Sequence, residues 1–309
     1  MSKSIMGPSH EYNAGKNSPK PWVHRIGPRH NFTSILLLFT LLITIALLVS
    51  SACTTSPAVQ TYTNDFTVGA SASLVVDSLG GWIQVETGPG NQVHVEATVR
   101  DFTRVAYEAT TNGDIVTVTA KRKGSILSPS FQGRADILVT VPAGTSLTLE
   151  TGGGDITVTG TTAGGLLKTS GGKITLDNVK GNFQGDSSNG DIEINTLIGS
   201  VLLRTGDGKV DIENARGEFN VSSSNGAIIF SGEMTPGGNN RLTTSDGDVT
   251  ATLQGTPSIN LDASTSDGKV TSDLAILATA TETDHLVGKI GSGKASLYIH
   301  TSNGDVKIK

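Results

Sequence analysis

The sequence predicts an all-β fold: a single-chain β-solenoid (β-helix) of about 18-residue coils, preceded by an N-terminal signal or anchor helix. Three observations lead there. An eight-residue phrase recurs as TGGGDITV at 151, TSGGKITL at 169, SSNGDIEI at 187, TGDGKVDI at 205, SSNGAIIF at 223, TSDGDVTA at 244, TSDGKVTS at 265 and TSNGDVKI at 301. Its shared glycines keep a period: Gly154, Gly172, Gly190, Gly208 and Gly226 stand 18 apart, Gly247 and Gly268 follow at steps of 21, and Gly304 comes 36 later, twice 18. Within each phrase apolar residues alternate with polar ones, the mark of a half-buried strand. A fixed period of this kind belongs to stacked-repeat architectures.

Residues 1–34 form a basic leader, and residues 35–52 contain the one long apolar run, ILLLFTLLITIALLV. This is a signal sequence or transmembrane anchor rather than part of the fold. No Lys or Arg occurs between Arg29 and Arg100, so the excess of positive charge before the apolar run places the leader in the cytosol and the body outside. Residues 53–61 read as a Ser/Thr/Pro linker. LLVSSAC resembles a bacterial lipobox, which implies lipid attachment at Cys53; an uncleaved anchor is the alternative. Both place the body in an extracytoplasmic, membrane-anchored setting.

Residues 62–146 are less regular. The runs SLVVD, WIQVET, QVHVEATV, DIVTVTA and ADILVTV read as strands, GPGN and TNGD read as hairpin turns, and SLGGWIQV echoes the repeat. This region is expected to supply the opening coils and cap of the same body.

Residues 147–309 carry the regular coils. Inward positions are Leu147/Leu149, Ile156/Val158, Ile174/Leu176, Ile192/Ile194, Val201/Leu203, Val210/Ile212, Phe219/Val221 and Ile228/Phe230. One coil cannot bury its own apolar face, whereas stacked coils close those faces on one another. A meander of about sixteen antiparallel strands would satisfy the same alternation but leave one face uncovered. The turn glycines are expected to supply left-handed backbone. The residue after each glycine runs Asp155, Lys173, Asp191, Lys209, Ala227, Asp248, Lys269, an outer ladder of alternating charge that would penalise a slipped register.

The [ST]-x-[GND]-G-x-[IV]-x-(apolar) unit, with the lead-in ILVTVPAGTSLTLETGGGDITV (137–158), resembles the bacterial "putative adhesin" domain family, extracytoplasmic β-helical repeat proteins similar to auto-transporter-adhesin-like head domains. The resemblance spans residues 62–309. It implies a surface-exposed β-helical domain and lends adhesion as a role.

Composition excludes some chemistry. Residues 1–52 hold five Lys/Arg and one acid, +4, so the remainder carries −9 to give the net −5, a poor partner for nucleic acid. One cysteine builds neither a disulfide nor a cysteine zinc site. Asp155 and Asp191, two coils apart, approach the carboxylate spacing of inverting glycosidases, but Lys173 stands between them and the face is open. Calcium-binding β-rolls place Asp two residues after the glycine; here it follows directly. His94 and His300 lie within alternating strands. The off-pattern stretch SDLAILATATETDHLVGKIGSGKA gathers Glu282, Asp284, His285 and Lys289 and has room for a short helix. Arg100, Arg104, Lys121, Arg122, Lys123 and Arg134 concentrate six of the body's 18 bases, a candidate patch for an anionic envelope polymer or headgroup. No Trp or Tyr lies between Tyr107 and Tyr298, so a stacking groove along the coils is not expected; Trp82 is the one aromatic worth watching, and its place beside GG before a strand fits burial equally well.

The expectation is therefore a non-catalytic protein without metal or cofactor, used for surface adhesion, envelope structure or recognition. Its partners would be the membrane through the anchor and an envelope polymer or surface protein. A polysaccharide-acting β-helical enzyme and an envelope-sensing module are the alternatives.

Overall fold

A pleated backbone sends successive side chains to opposite faces, so each alternating run becomes a strand with one buried side. The computed structural model describes residues 58–124 and 131–309. The leader, the apolar run 35–52 and the candidate lipidation site Cys53 lie outside those residues. Thr55–Lys309 is a structural unit of its own, and its described residues are all-β. Among them no helix is long and apolar enough to cross a membrane.

The repeats stack in parallel, as a solenoid requires and a meander forbids. Strand Gly165–Thr169 lies between Ser146–Thr151 and Phe183–Ser187, with Leu167 opposite Leu149 and Gly185. Strand Ile174–Lys180 lies between Ile156–Thr159 and the start of Ile192–Thr205, with Leu176 opposite Val158 and Ile194. Each coil therefore adds one strand before the repeat turn and one after it, to two rows of strands. The two longest strands, Ile192–Thr205 and Val210–Ser223, run through the corner between the rows and pair with each other along both. Every inward position expected from the alternation is buried. Phe219 and Phe230 meet edge-on at 4.7 Å between ring centres.

The turn glycines have a different reason from the one expected. None of Gly154, Gly172, Gly190, Gly208, Gly226, Gly247, Gly268 and Gly304 has a positive φ. They are glycines because the coils touch there: a Cβ on Gly190 would fall on the carbonyl of Gly172, and one on Gly208 on the carbonyl of Gly190. Left-handed backbone occurs further along the coil, where Gly160, Asn178, Thr196 and Asn214 repeat at 18-residue steps with φ of 80, 50, 70 and 51°.

The first residue of the phrase explains how these close turns are held. Thr205 Oγ1 accepts from the Gly208 N–H of its own coil at 3.2 Å and donates to the Gly190 carbonyl of the preceding coil at 2.9 Å. Ser223 repeats both bonds with Gly226 and Gly208. The donation to a neighbouring glycine carbonyl recurs at Thr151, Thr169, Ser187, Thr244, Thr265 and Thr301, at 2.8–3.2 Å. A buried spine of hydroxyls thus satisfies carbonyls that no strand partner reaches.

Sequence order and stacking order part company at both ends. The C-terminal strands Ala295–Thr301 and Val306–Ile308 lie between Asn239–Thr243/Val249–Leu253 and Ile259–Thr265/Val270–Ser272. Gly304 therefore stacks on Gly247 and Gly268 on Gly304, and no coil fills the gap of 36. The off-pattern stretch contains no helix. It forms the antiparallel pair Leu277–Thr281 and His285–Ile290, which lies against Ile259–Thr265 and closes that edge.

The other end mirrors this. Ser73–Ser78 and Ile83–Thr87 lie between the first regular coil and the later strands Ile115–Arg122 and Arg134–Val141. Antiparallel strands then extend the rows, Val105–Asn112 on Ile115–Arg122, and Gln92–Arg100 followed by Val59–Thr67 on Arg134–Val141. TNGD is the expected hairpin turn, with Gly113 at φ 60°. GPGN is not, because Arg134–Val141 separates the strands it joins. Antiparallel pairs at both ends cover edges that would otherwise recruit another chain.

Candidate functional site

The six cations singled out in the sequence gather at the N-terminal end of the stack. Arg100 stands directly opposite Arg134 on neighbouring strands. Like charges so placed need an anion, and Asp136 supplies it: its Oδ2 is 3.2 Å from Arg134 Nη2 and 4.0 Å from Arg100 Nε. Asp101, at positive φ just past strand Gln92–Arg100, turns back to Arg104 at 2.6 Å. That guanidinium holds the Asp101 carboxyl below the usual carboxylate range. Arg104 and Arg122 also lie over the Phe131 ring, at 5.7 and 4.2 Å from its centre, a cation–π arrangement. Lys121 pairs with Asp77 at 3.0 Å, and Lys123 Nζ donates to the Phe102 carbonyl at 3.3 Å. Segment 100–134 thus carries six cations against three acids, Asp101, Glu108 and Asp114, a locally positive stretch, while the strands around it add Asp65, Asp77, Glu86, Glu96 and Asp136.

The paired acids of the middle coils are occupied otherwise. Asp155 Oδ1 accepts from the Lys173 N–H at 2.8 Å, and Asp191 Oδ1 from the Lys209 N–H at 2.7 Å. Each carboxylate satisfies the backbone of the next coil. The lysines turn away from this row: Lys173 pairs with Glu193 and Lys209 with Asp211, which holds the Glu193 carboxyl below and the Lys209 ammonium above their usual ranges. Nor does the ladder alternate throughout, since Asp305 stacks directly on Asp248 and donates its N–H to Asp248 Oδ1 at 2.8 Å. The alternation of charge is therefore confined to the coils from Asp155 to Lys209.

The remaining candidates do not converge. Glu282 and Asp284 sit at the tip of the closing hairpin, His285 pairs with Asp262 at 3.0 Å, and Lys289 lies opposite Leu277. His300 Nδ1 meets Ser264 Oγ at 3.0 Å. His94 lies between Asp65 (2.6 Å) and Glu96 (3.1 Å), which push its pKa up. Among the described residues no group of three His, Cys, Asp or Glu side chains is placed to hold a metal ion.

Trp82 is exposed, at 41%. It follows Gly81 as Asp155 follows Gly154, on the outer row of the turns. Reasoning from sequence missed two things, the buried Asp136 and the hydroxyl spine. The invariant Ser or Thr three residues before each repeat glycine was the signal for the spine; nothing local marked Asp136.

The chain belongs to the Toastrack DUF4097 family, whose model matches residues 72–309, in keeping with the adhesin-type resemblance drawn from the repeat. No curated protein matches the chain. Among solved structures it is similar to a "putative adhesin" from Bacteroides fragilis (12% identity, 82% of this chain and 99% of that one, TM-score 0.41). It is also similar to a "putative adhesin" from Parabacteroides merdae (14%, 81% and 96%, TM-score 0.32). A third is a "putative lipid binding protein" from Parabacteroides distasonis (14%, 81% and 97%, TM-score 0.30).

Proposed function

We propose that this Toastrack protein is a membrane-anchored, extracytoplasmic recognition module of adhesin type, which holds a polymer of the envelope or cell surface without turning it over. The cation-rich end of the stack carries this reading. Within it, segment 100–134 holds six cations against three acids, Asp101, Glu108 and Asp114, a locally positive stretch on an acidic body, and such a stretch attracts a polyanion. The scaffold suits the task, because stacked coils repeat every surface feature about every 4.8 Å, and a polymer repeats too. Attachment through the leader, whether by lipid at Cys53 or by an uncleaved helix, would keep the module at the membrane. The middle-coil carboxylates are spent on neighbouring backbone N–H groups, which supports a non-catalytic role.

The test uses the full chain in nanodiscs against neutral and anionic polysaccharides, scoring binding and chain cleavage together. Saturable binding of an anionic polymer is expected, weakening with salt and weakening further in the Lys121→Gln/Lys123→Gln variant. Release of shortened chains would overturn the non-catalytic reading. A failure to bind any polymer would move the search to protein partners and an envelope-sensing role.

A further inference from the structure

The row of residues that follow the turn glycines is charged along the regular stack except for the small Ala227, and one large apolar side chain joins it at the N-terminal end. Ile83 pairs with Ile137 on one side and Ile156 on the other, so Trp82 lies between Asp136 and Asp155. The Ile137 N–H donates to the Trp82 carbonyl at 2.9 Å, and the Ile83 N–H to the Asp155 carbonyl at 2.8 Å, fixing that order. A large apolar side chain on an outward turn gains little from packing, and Trp82 stays 41% exposed. It borders an open cleft of about 520 Å³ lined also by Arg134, Asp136, Gly153 and Asp155.

Two further observations point to a ligand. Asp136 is only 7% exposed; its Oδ2 takes Arg134 and Arg100, whereas its Oδ1 has no hydrogen-bond partner. A buried unpaired carboxylate oxygen is costly, so it marks a place where a donor is expected to arrive. The floor of the cleft is also bare beyond what packing demands. Gly81 and Gly154 are required by contact with neighbouring carbonyls, but a Cβ on Gly80 or Gly153 would meet nothing within 4 Å, and neither has a positive φ. At the corresponding tips further along the stack stand Gly171, also open, and then Asn189, Asp207 and Asn225. Fold geometry permits side chains at 80 and 153, and the sequence leaves them out.

We infer that Trp82, between Asp136 and Asp155 and above the bare glycine floor, is the stacking platform of a subsite for a neutral saccharide ring. The inference rests on the polymer-recognition reading and names the chemistry of one of its contacts. The apolar C–H face of a pyranose fits an indole face, and its hydroxyls are donors for carboxylate oxygens, in charge-assisted bonds. Both nearby guanidinium groups are committed to Asp136. A sugar carboxylate here would face two acids with no uncommitted cation in the cleft, which selects a neutral ring.

Trp82 reports on itself. The chain has two tryptophans, Trp22 and Trp82, so a full-length Trp22→Phe protein in nanodiscs has one indole. It would be titrated with cellohexaose, xylohexaose, maltohexaose and chitohexaose, with hexagalacturonate as the acidic comparison. A saturable change in emission with at least one neutral hexasaccharide, and none with hexagalacturonate, is expected. Gly153→Gln should weaken that binding by about tenfold or more while leaving the unfolding midpoint in place, a pairing that a purely structural role for this turn would not give. By calorimetry Trp82→Ala should abolish binding and Trp82→Phe should retain part of it. The subsite is overturned if no neutral hexasaccharide moves the emission, or if Gly153→Gln binds like the parent. Should anionic polymers still bind with Trp82 silent, the subsite alone falls; should nothing bind at all, the recognition reading falls with it.

Discussion

The middle of the stack and its two ends obey different rules. From Gly154 to Gly226, chain neighbours are also spatial neighbours, 18 residues apart. At each end the chain skips a layer and the skipped layer is filled later: Ala295–Ile308 slides inside Ile259–Ser272, and Ser73–Thr87 is covered by Ile115–Val141. The middle teaches that one phrase, copied, is enough to build a core. The ends teach that copies carry no address, since any repeat strand can pair with any other, and the irregular segments decide which does.

The sharpest way to break this comparison is to remove residues 295–309. In a stack built in chain order that deletion would cost one outer layer. Here it is expected to strip hydrogen-exchange protection from 259–290 as well, and protection kept there would contradict the interleaved order. Next in size is the contact of glycines: Gly190→Ala should destabilise by about 3 kcal/mol, as overpacking against an immovable backbone does. Gly171→Ala, whose added Cβ would meet only a carbonyl at 4.0 Å, should stay within about 0.5 kcal/mol. Urea unfolding of the two variants side by side measures the difference. Thr205→Val keeps the shape but leaves the Gly190 carbonyl and Gly208 N–H without their partner, a loss of about 1–3 kcal/mol in the same assay. Thr196 is a β-branched residue at φ 70°, in a row where Asn stands before and after it. Thr196→Asn should raise the unfolding midpoint, by about 0.5 kcal/mol, because Asn tolerates left-handed backbone better.

The smallest effect belongs to His94 at the N-terminal end. Asp65 and Glu96 raise its pKa above 6.5, so its protonated form contributes stability that is complete below that value and disappears as pH rises through the folded-state value. His94→Gln should therefore cost less than about 1 kcal/mol near pH 5.5 and nothing near pH 9. An equal loss at both pH values would mean that packing, and not charge, is what the residue provides.

Much of this was written plainly in the sequence. The period gave the coils, and the alternation gave the buried pairs beside each turn from Leu147 to Phe230, because both follow from local geometry that each copy restates; Leu167, Val179, Phe183, Leu197 and Ala215 join them in the core. Trp82 was only half legible: SLGGW aligns with TGGGD, but a tryptophan before a strand fits burial as well, and the structure leaves it outward. The order of the last coils was not legible, because TSDGKVTS and TSNGDVKI fit the same slot equally well and only the hairpin 277–290 separates their places. Asp136 was hidden for a related reason. Its neighbours Arg100, Trp82 and Asp155 come from three different strands or turns, and no local pattern in the chain announces a meeting of that kind.

The interleaved C-terminal layers also bear on how the protein is completed as its chain is made. Most solenoids can zip up one rung at a time behind the emerging chain. Here the groove between Val249–Leu253 and Val270–Ser272 has no occupant until residues 295–308 arrive. The hairpin that closes the edge is made before the rung it must enclose. The chain therefore emerges with an unfinished end, and any factor that shelters or attacks nascent strands has its opening there, in the interval before the last rung slots home.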